Sequence, residues 1–221
     1  MKYKFFIMLF FLVNLINMKE QKIIKLPKPE NISKISIEEA LLKRRSIREY
    51  KDEALTIKEV SQILWSAQGI TEPKKKFRTA PSAGAIFPLN IYLVVNKVEN
   101  IEKGIYKYLP ETHEIIQFLN EDKREDIYKA CLQQSCIKNG AIIIVITGNF
   151  EKIKKRYSER GVRYTYIEVG HCSQNIYLQC VSLNLGTVAV GAFYDEEVKK
   201  ILKLPDEEEP LYLMPIGKIK D

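Results

Sequence analysis

The sequence predicts an α+β domain in three layers, a mostly antiparallel central sheet flanked by helices. Three observations predict it. Strand-like apolar runs and amphipathic helical runs are mixed along the chain without strict alternation, unlike a doubly wound parallel sheet. The runs "GIYKYL" and "EIIQFL" alternate in polarity and are joined by the turn "PETH", as an antiparallel hairpin requires. The chain's 221 residues, 46% hydrophobic and 29% charged, suit one folded core and exclude a multispan membrane protein and a disordered chain.

Taken in order, residues 1–22 read "MKYKFFIMLFFLVNLINMKEQK": a basic start, an uninterrupted apolar run from Phe5 to Val13, then asparagines and charge. This pattern is that of a signal peptide, and with no small-x-small cleavage site after it an uncleaved N-terminal membrane anchor stays open, as does a packing helix. Export or membrane association follows if the segment acts as a signal, a cytoplasmic location if it does not. Residues 23–35, "IIKLPKPENISKI", read as a proline-marked linker, which leaves 36–221 as the folded domain.

In "SIEEALLKRRS", Ser36 and Glu39 have capping-box spacing, and in "TIKEVSQILWSAQGI" Thr56 and Glu59 repeat it. The second helix places Val60, Ile63, Leu64 and Ala67 on one face and stops at Gly69. "LNIYLVV" is a buried strand, the hairpin follows, and "DKREDIYKACLQQ" is helical. "AIIIVITG" has the continuous apolar character of a strand covered on both faces. "RYTYIEVGHCSQNIYLQCVSLN" is a long helix ended by "LG"; "TVAVGAF" is a strand, "DEEVKKILKL" a helix and "PLYLMPIGKIK" the last strand.

Charge and cysteine usage narrow the chemistry. The net charge is +7, but the lysines are dispersed, Lys74–Lys76 is the one dense cluster, and no basic run is interleaved with aromatics, so nucleic-acid binding is not expected. Cys131, Cys136, Cys172 and Cys180 form no C-x-x-C pair and no zinc spacing, so no metal is expected and the thiols read as buried apolar groups. The chain has two histidines, His113 and His171, no G-x-S-x-G, and no cysteine beside a plausible base, which argues against a self-contained hydrolase. No catalytic side chain can be assigned, and the chemistry is expected from a cofactor.

Two segments stand out. "KRRSIREY" gathers the guanidinium groups of Arg44, Arg45 and Arg48 and the hydroxyl of Ser46 at a helix end; an anion site and a solvated helix end compete there. "TAPSAGAIFPL" is bare of charge and bulk: Pro81, Ser82, Ala83, Gly84, then Pro88 form a stiff segment that a flat ring can approach closely. A phosphate clamp and a bare loop together fit flavin mononucleotide, FMN.

The segments "RRSIREY", "APSAGAIFPLNIYLVV", "GIYKYLPETHEI", "RYTYIEVGHCSQNIYLQCVSLNLGTVAVGAF" and "PIGKI" occur in an order that resembles the nitroreductase-like flavoproteins, most of all their SagB/ThcOx-type dehydrogenase branch, from about Ala40 to Lys218. The resemblance implies a nitroreductase-like fold, an intertwined homodimer, and an FMN-dependent oxidoreductase. That enzyme would pass electrons from NAD(P)H through flavin N5 to an organic acceptor by a two-step mechanism. It implies phosphate and ribityl contacts for Arg44, Ser46 and Arg48, with Arg45 an alternative in the same register. Pro81 to Gly84 match the loop on the flavin ring, supplied by the second subunit, while Gly191 and Ala192 match the backbone beside N5. Lys218 falls where the family places a phosphate-reaching cation. A thiazoline or oxazoline dehydrogenase acting on a modified peptide, and a flavin-binding electron-transfer partner without turnover, are the other functions it leaves open.

Overall fold

A computed structural model gives the architecture, and residues 22–220 are described. The expected signal or anchor falls on residues outside them. Among the described residues no helix is long and apolar enough to cross a membrane.

Seven strands form one sheet in the order β1-β6-β5-β4-β7-β9-β8. They are β1 (Ile23–Lys25), β4 (Leu89–Val95), β5 (Gly104–Leu109), β6 (Glu114–Leu119), β7 (Ile142–Asn149), β8 (Leu185–Thr187) and β9 (Glu208–Lys218). Each neighbouring pair is antiparallel. A separate two-stranded hairpin joins β2 (Ile70–Glu72) to β3 (Phe77–Arg78). The helices are α1 (Ile37–Lys43), α2 (Ile57–Gln68), α3 (Arg124–Ala130), α4 (Ser135–Asn139), α5 (Phe150–Tyr157), α6 (Arg160–Ser182) and α7 (Asp195–Leu202).

Strand alternation builds the layers. Ile91, Leu93, Ile142, Ile144 and Ile146 point to one side and pack with Val60, Ile63 and Leu64 of α2 and Val169, Cys172 and Ile176 of α6. Tyr92, Val94, Ile143 and Val145 point to the other side, against Ile127 of α3, Ile137 of α4, and Val198 and Leu202 of α7. Helices on both faces explain why β7 is apolar at every position from Ile142 to Ile146. The capping box of α2 is formed, with Thr56 and Glu59 each bonding the other's backbone N–H. All four cysteines are free and buried, and burial pushes the Cys131 and Cys172 thiols up to about 12, so neither supplies thiolate at neutral pH.

The structure corrects several boundaries. Residues 23–35 are not wholly a linker: Ile23, Ile24 and Lys25 pair with Ile116, Ile115 and Glu114 at the sheet edge, and Leu26 is buried. Ile24 and Leu26 lie two apart and turn to the core, an alternation that the nearby prolines mask in the sequence. The helix expected over "DKREDIYKACLQQ" ends at Ala130, because Leu132 and Gln133 adopt positive φ, and α4 follows as a separate turn of chain. The hairpin β2–β3 and helix α5 have no counterpart in the sequence reading. The strand expected over "TVAVGAF" is ordered in the sheet only through Thr187; beyond it Val190 makes one isolated bridge to Leu213, and the chain leaves the ladder at Gly191.

Candidate cofactor site

The arginine segment starts where α1 ends. Arg44 is its C-cap, with φ −52° and ψ 123°, so the chain turns out of the helix there. The Arg44 guanidinium lies 5.3 Å from the centroid of the Tyr177 ring. Ser46 Oγ and Tyr177 Oη share a hydrogen bond of 3.0 Å, and Ile47 N–H donates to the Thr187 carbonyl at 2.9 Å, fixing the segment beside β8. Arg45 instead folds back on α1, donating to the carbonyls of Leu42 (2.9 Å) and Arg44 (2.8 Å), which satisfies open acceptors at a helix end. Arg48 is exposed, and none of these three arginines has a carboxylate partner among the described residues.

Tyr177 does more than contact this arm. Its hydroxyl also accepts the Ala189 N–H at 2.7 Å, so one side chain on α6 ties Ser46 to the segment that carries Gly191 and Ala192. Both of those residues are exposed, and the Ala192 carbonyl is held by Gln134 Nε2 at 2.9 Å. Tyr177→Phe removes the acceptor for Ala189 N–H and the partner of Ser46 at once. We expect a loss of about 1–3 kcal/mol in unfolding free energy, with local disorder at residues 46 and 189 in amide exchange. An unchanged melting profile with unchanged exchange would show that Tyr177 does not organise the arm. Lys218, at the end of β9, is engaged within its own chain by an ion pair to Glu59 at the start of α2. A phosphate reaching Lys218 has to share that ammonium.

The bare loop is held by side chains from two helices. Its left-handed residues are Gly84 (φ 60°), Ala85 (φ 54°) and Phe87 (φ 51°). Asn175 Nδ2 donates to the Thr79 carbonyl at 3.2 Å, and Ala83 N–H donates to Glu168 Oε1 at 2.9 Å. Arg156 Nη1 reaches the Gly84 carbonyl at 3.4 Å, and Lys152 Nζ donates to the Phe87 carbonyl at 2.9 Å. Within the loop Ser82 Oγ accepts Phe87 N–H at 2.8 Å, while the Arg78 guanidinium covers the Phe87 ring at 4.5 Å. Pro81, Gly84 and Ala85 remain exposed. The loop is thus a fixed platform with a bare outer surface.

The two halves are anchored at different points of α6. Glu168 is nine positions from Tyr177 on this helix, about 13 Å along its axis, while Asn175, which holds Thr79 just before the loop, is two positions from Tyr177. Among the described residues no hydrogen bond or ion pair joins Pro81–Gly84 to Arg44, Ser46 or Arg48. The structure therefore ties Ser46, with Arg44 packed on the same tyrosine, to Ala189, two residues before Gly191. Sequence reasoning missed Tyr177, Glu168, and the neighbours of Gly84, Arg156 and Tyr157. Glu168 had a signal: it interrupts the buried stripe of Thr165, Val169, Cys172, Ile176 and Cys180 with a charge. His113 has both ring nitrogens bonded, Nδ1 to Tyr108 Oη (2.9 Å) and Nε2 to Ser61 Oγ (2.8 Å) and the Pro27 carbonyl (3.0 Å), so it is structural.

Comparison with known proteins supplies the framework for this geometry. The nitroreductase family description matches residues 41–218. The chain belongs to the nitroreductase family. A protein of Methanocaldococcus jannaschii named as a nitroreductase, MJ1384, is 47% identical over 188 residues, 85% of this chain and 93% of that one. The microcin B17-processing protein McbC of Escherichia coli is 25% identical over 176 residues, 76% of this chain and 64% of that one. Among solved structures, a protein of Ralstonia eutropha JMP134 named as a nitroreductase superposes with a TM-score of 0.79 at 24% identity, covering 92% of each chain. The NADPH:FMN oxidoreductase of Vibrio harveyi, complexed with NAD+, has a TM-score of 0.61 at 17% identity over 84% of this chain and 69% of that one. The fold is the nitroreductase fold.

Proposed function

We propose that this nitroreductase-family oxidoreductase depends on FMN, takes electrons from NAD(P)H and passes them to an organic acceptor in a second half-reaction. The observation that carries the reading is the arm itself: guanidinium groups within five residues, without carboxylate partners among the described residues, and tied through Tyr177 to Ala189, two residues before the exposed Gly191. Such an array is suited to a phosphate dianion and a polar ribityl chain. FMN, when bound, supplies the redox chemistry. Arg44 and Arg48 would hold its phosphate, with Arg45 committed to capping α1, Ser46 would bond the chain, and the 191–192 backbone would face the ring.

The remaining contact, Pro81–Gly84, would come from the partner subunit of a homodimer, as the resemblance to the nitroreductase-like flavoproteins implies. The face for that dimer is on α6. Tyr166 and Ile167 are 57% and 47% exposed, and a Cβ built on Gly170 would meet nothing within 4 Å. Cys172 and Ser173, small residues on the same helix, are buried in their own subunit and do not contribute to this face.

The test is direct. Purified protein is expected to carry a flavin spectrum, to bleach on anaerobic addition of NADH or NADPH, and to sediment as a dimer at micromolar concentration. Colourless protein that fails to bind added FMN would overturn the reading. The similarity to McbC supports a second one, oxidation of a thiazoline or oxazoline ring in a modified peptide. Flavin reduction on anaerobic addition of an azoline-containing peptide, with no response to pyridine nucleotide, would favour it.

A further inference from the structure

Glu168 is an acidic residue in the buried stripe of α6. It is 4% exposed, and its Oε1 accepts the Ala83 N–H at 2.9 Å, in the middle of Pro81–Gly84. The Ser82 hydroxyl also favours its charged form. The groups facing it are few: His171 on its own helix and Lys152 on α5, whose ammonium is already bonded to the Phe87 carbonyl. Arg156, also on α5, is directed to the Gly84 carbonyl. No ion pair joins Glu168 to any cation among the described residues. A scaffold needs only an acceptor for one amide, which an asparagine, a glutamine or a backbone carbonyl would supply without a buried charge.

We infer that Glu168 is a positioning residue that fixes the Pro81–Gly84 backbone and, through its charge, sets how readily the surface presented by that loop accepts negative charge. The inference rests on the flavin reading for its second half only. The first half concerns the chain by itself. Either protonation state keeps an oxygen that can accept the Ala83 N–H, so the positioning role needs the acceptor and the second role needs the charge. Burial raises the Glu168 carboxyl above its ordinary value of 4.5, outweighing the loop hydrogen bonds and the distant cations. With the folded value above the unfolded one, Glu168 contributes stability below about pH 4.5 and loses it as pH rises through the folded value. A bound flavin that gains negative charge against this loop is opposed by the carboxylate and favoured by its neutral form.

The experiment uses full-length protein and the variants Glu168→Gln and Glu168→Ala. In apoprotein, amide exchange at residues 82–85 is expected to accelerate at least tenfold in Glu168→Ala. It should stay near wild type in Glu168→Gln, which keeps an acceptor but no charge. Melting temperature of Glu168→Gln relative to wild type is expected to rise as pH is raised above 4.5, since only the wild type then carries the buried charge. In FMN-loaded protein, Glu168→Gln is expected to shift the two-electron reduction equilibrium at least tenfold toward reduction, about 30 mV, and to flatten the pH dependence of the midpoint potential. Wild-type exchange in Glu168→Ala would overturn the positioning role, and a wild-type potential and pH profile in Glu168→Gln would overturn the charge role. Wild-type protein that binds no FMN would count against the flavin reading, and the apoprotein measurements would still decide the positioning role.

Discussion

Protein carrying Arg44→Ala and Arg48→Ala together is expected to bind FMN at least a hundredfold more weakly than wild type, while its apoprotein melts within about 2 °C of wild type. Each hydrogen bond to a charged group is worth about 1.5–3 kcal/mol, so the pair accounts for about 3–6 kcal/mol, and 1.4 kcal/mol is tenfold in affinity. The small effect on folding follows from the same geometry. Neither side chain has an ion-pair partner among the described residues, and the packing of Arg44 on Tyr177 is worth about 0.5–1 kcal/mol. Fluorescence titration of apoprotein with FMN, beside a thermal melt, separates the two quantities. Equal FMN affinity in the double variant would return the arm to an ordinary solvated helix end. Arg45→Ala serves as the internal comparison, because Arg45 is spent on α1 and its loss should lower helix stability by a few tenths of a kcal/mol without reaching the ligand.

Gly84→Val is expected to damage both folding and flavin binding. From the sequence alone two readings of Gly84 stand: close approach of a flat ligand, which the small neighbours Ser82, Ala83 and Ala85 favour, and a turn with positive φ. In the structure its φ is 60°, and a Cβ there would stand 2.7 Å from Tyr157 Oη and 2.9 Å from Arg156 Nη1. The two contacts are to the ends of long side chains that can swing away, so the backbone dominates. A branched residue in the left-handed region costs about 1–3 kcal/mol, which lowers the melting temperature of the apoprotein before any ligand is present. Gly84→Asn discriminates further, since asparagine tolerates that region. It should recover most of the stability while keeping a side chain on the loop. FMN affinity that stays low in Gly84→Asn would show that the ligand also needs the bare surface; recovery of both would assign Gly84 to the turn alone.

Most of the fold was legible because its signals are local and repeated. The capping box of α2, the N-cap Ser36 of α1, the apolar stripe of α2, the alternation of β5 and β6 and the uniform apolarity of β7 each depend on neighbours in the chain and were placed correctly. The Glu39 carboxylate, however, pairs with Lys43 instead of closing a box on Ser36. What was missed depends on tertiary context. Ile23–Lys25 becomes a strand because β6 offers an edge, and three residues followed closely by Pro27 and Pro29 carry too little pattern to announce it. Helix α5 is amphipathic but mostly charged, with Ile153 as its buried residue, so it resembles a polar loop. In the candidate site, the arginines and the loop were visible as unusual compositions. Tyr177 and Glu168 were not, because a tyrosine and a glutamate on a long helix look ordinary until their partners, Ala189 N–H and Ala83 N–H, are folded against them.

The outermost strands of the sheet, β1 and β8, are three residues each. A seven-stranded sheet with long, flat borders would template the addition of further chains, as in amyloid growth. Here each border offers only a few free backbone groups, and Lys25 adds a charge to one of them. Short outer strands of this kind blunt growth by strand addition where they lie. The exposed face of α6 with Tyr166, Ile167 and Gly170 offers side chains and an open helix surface in place of a strand edge.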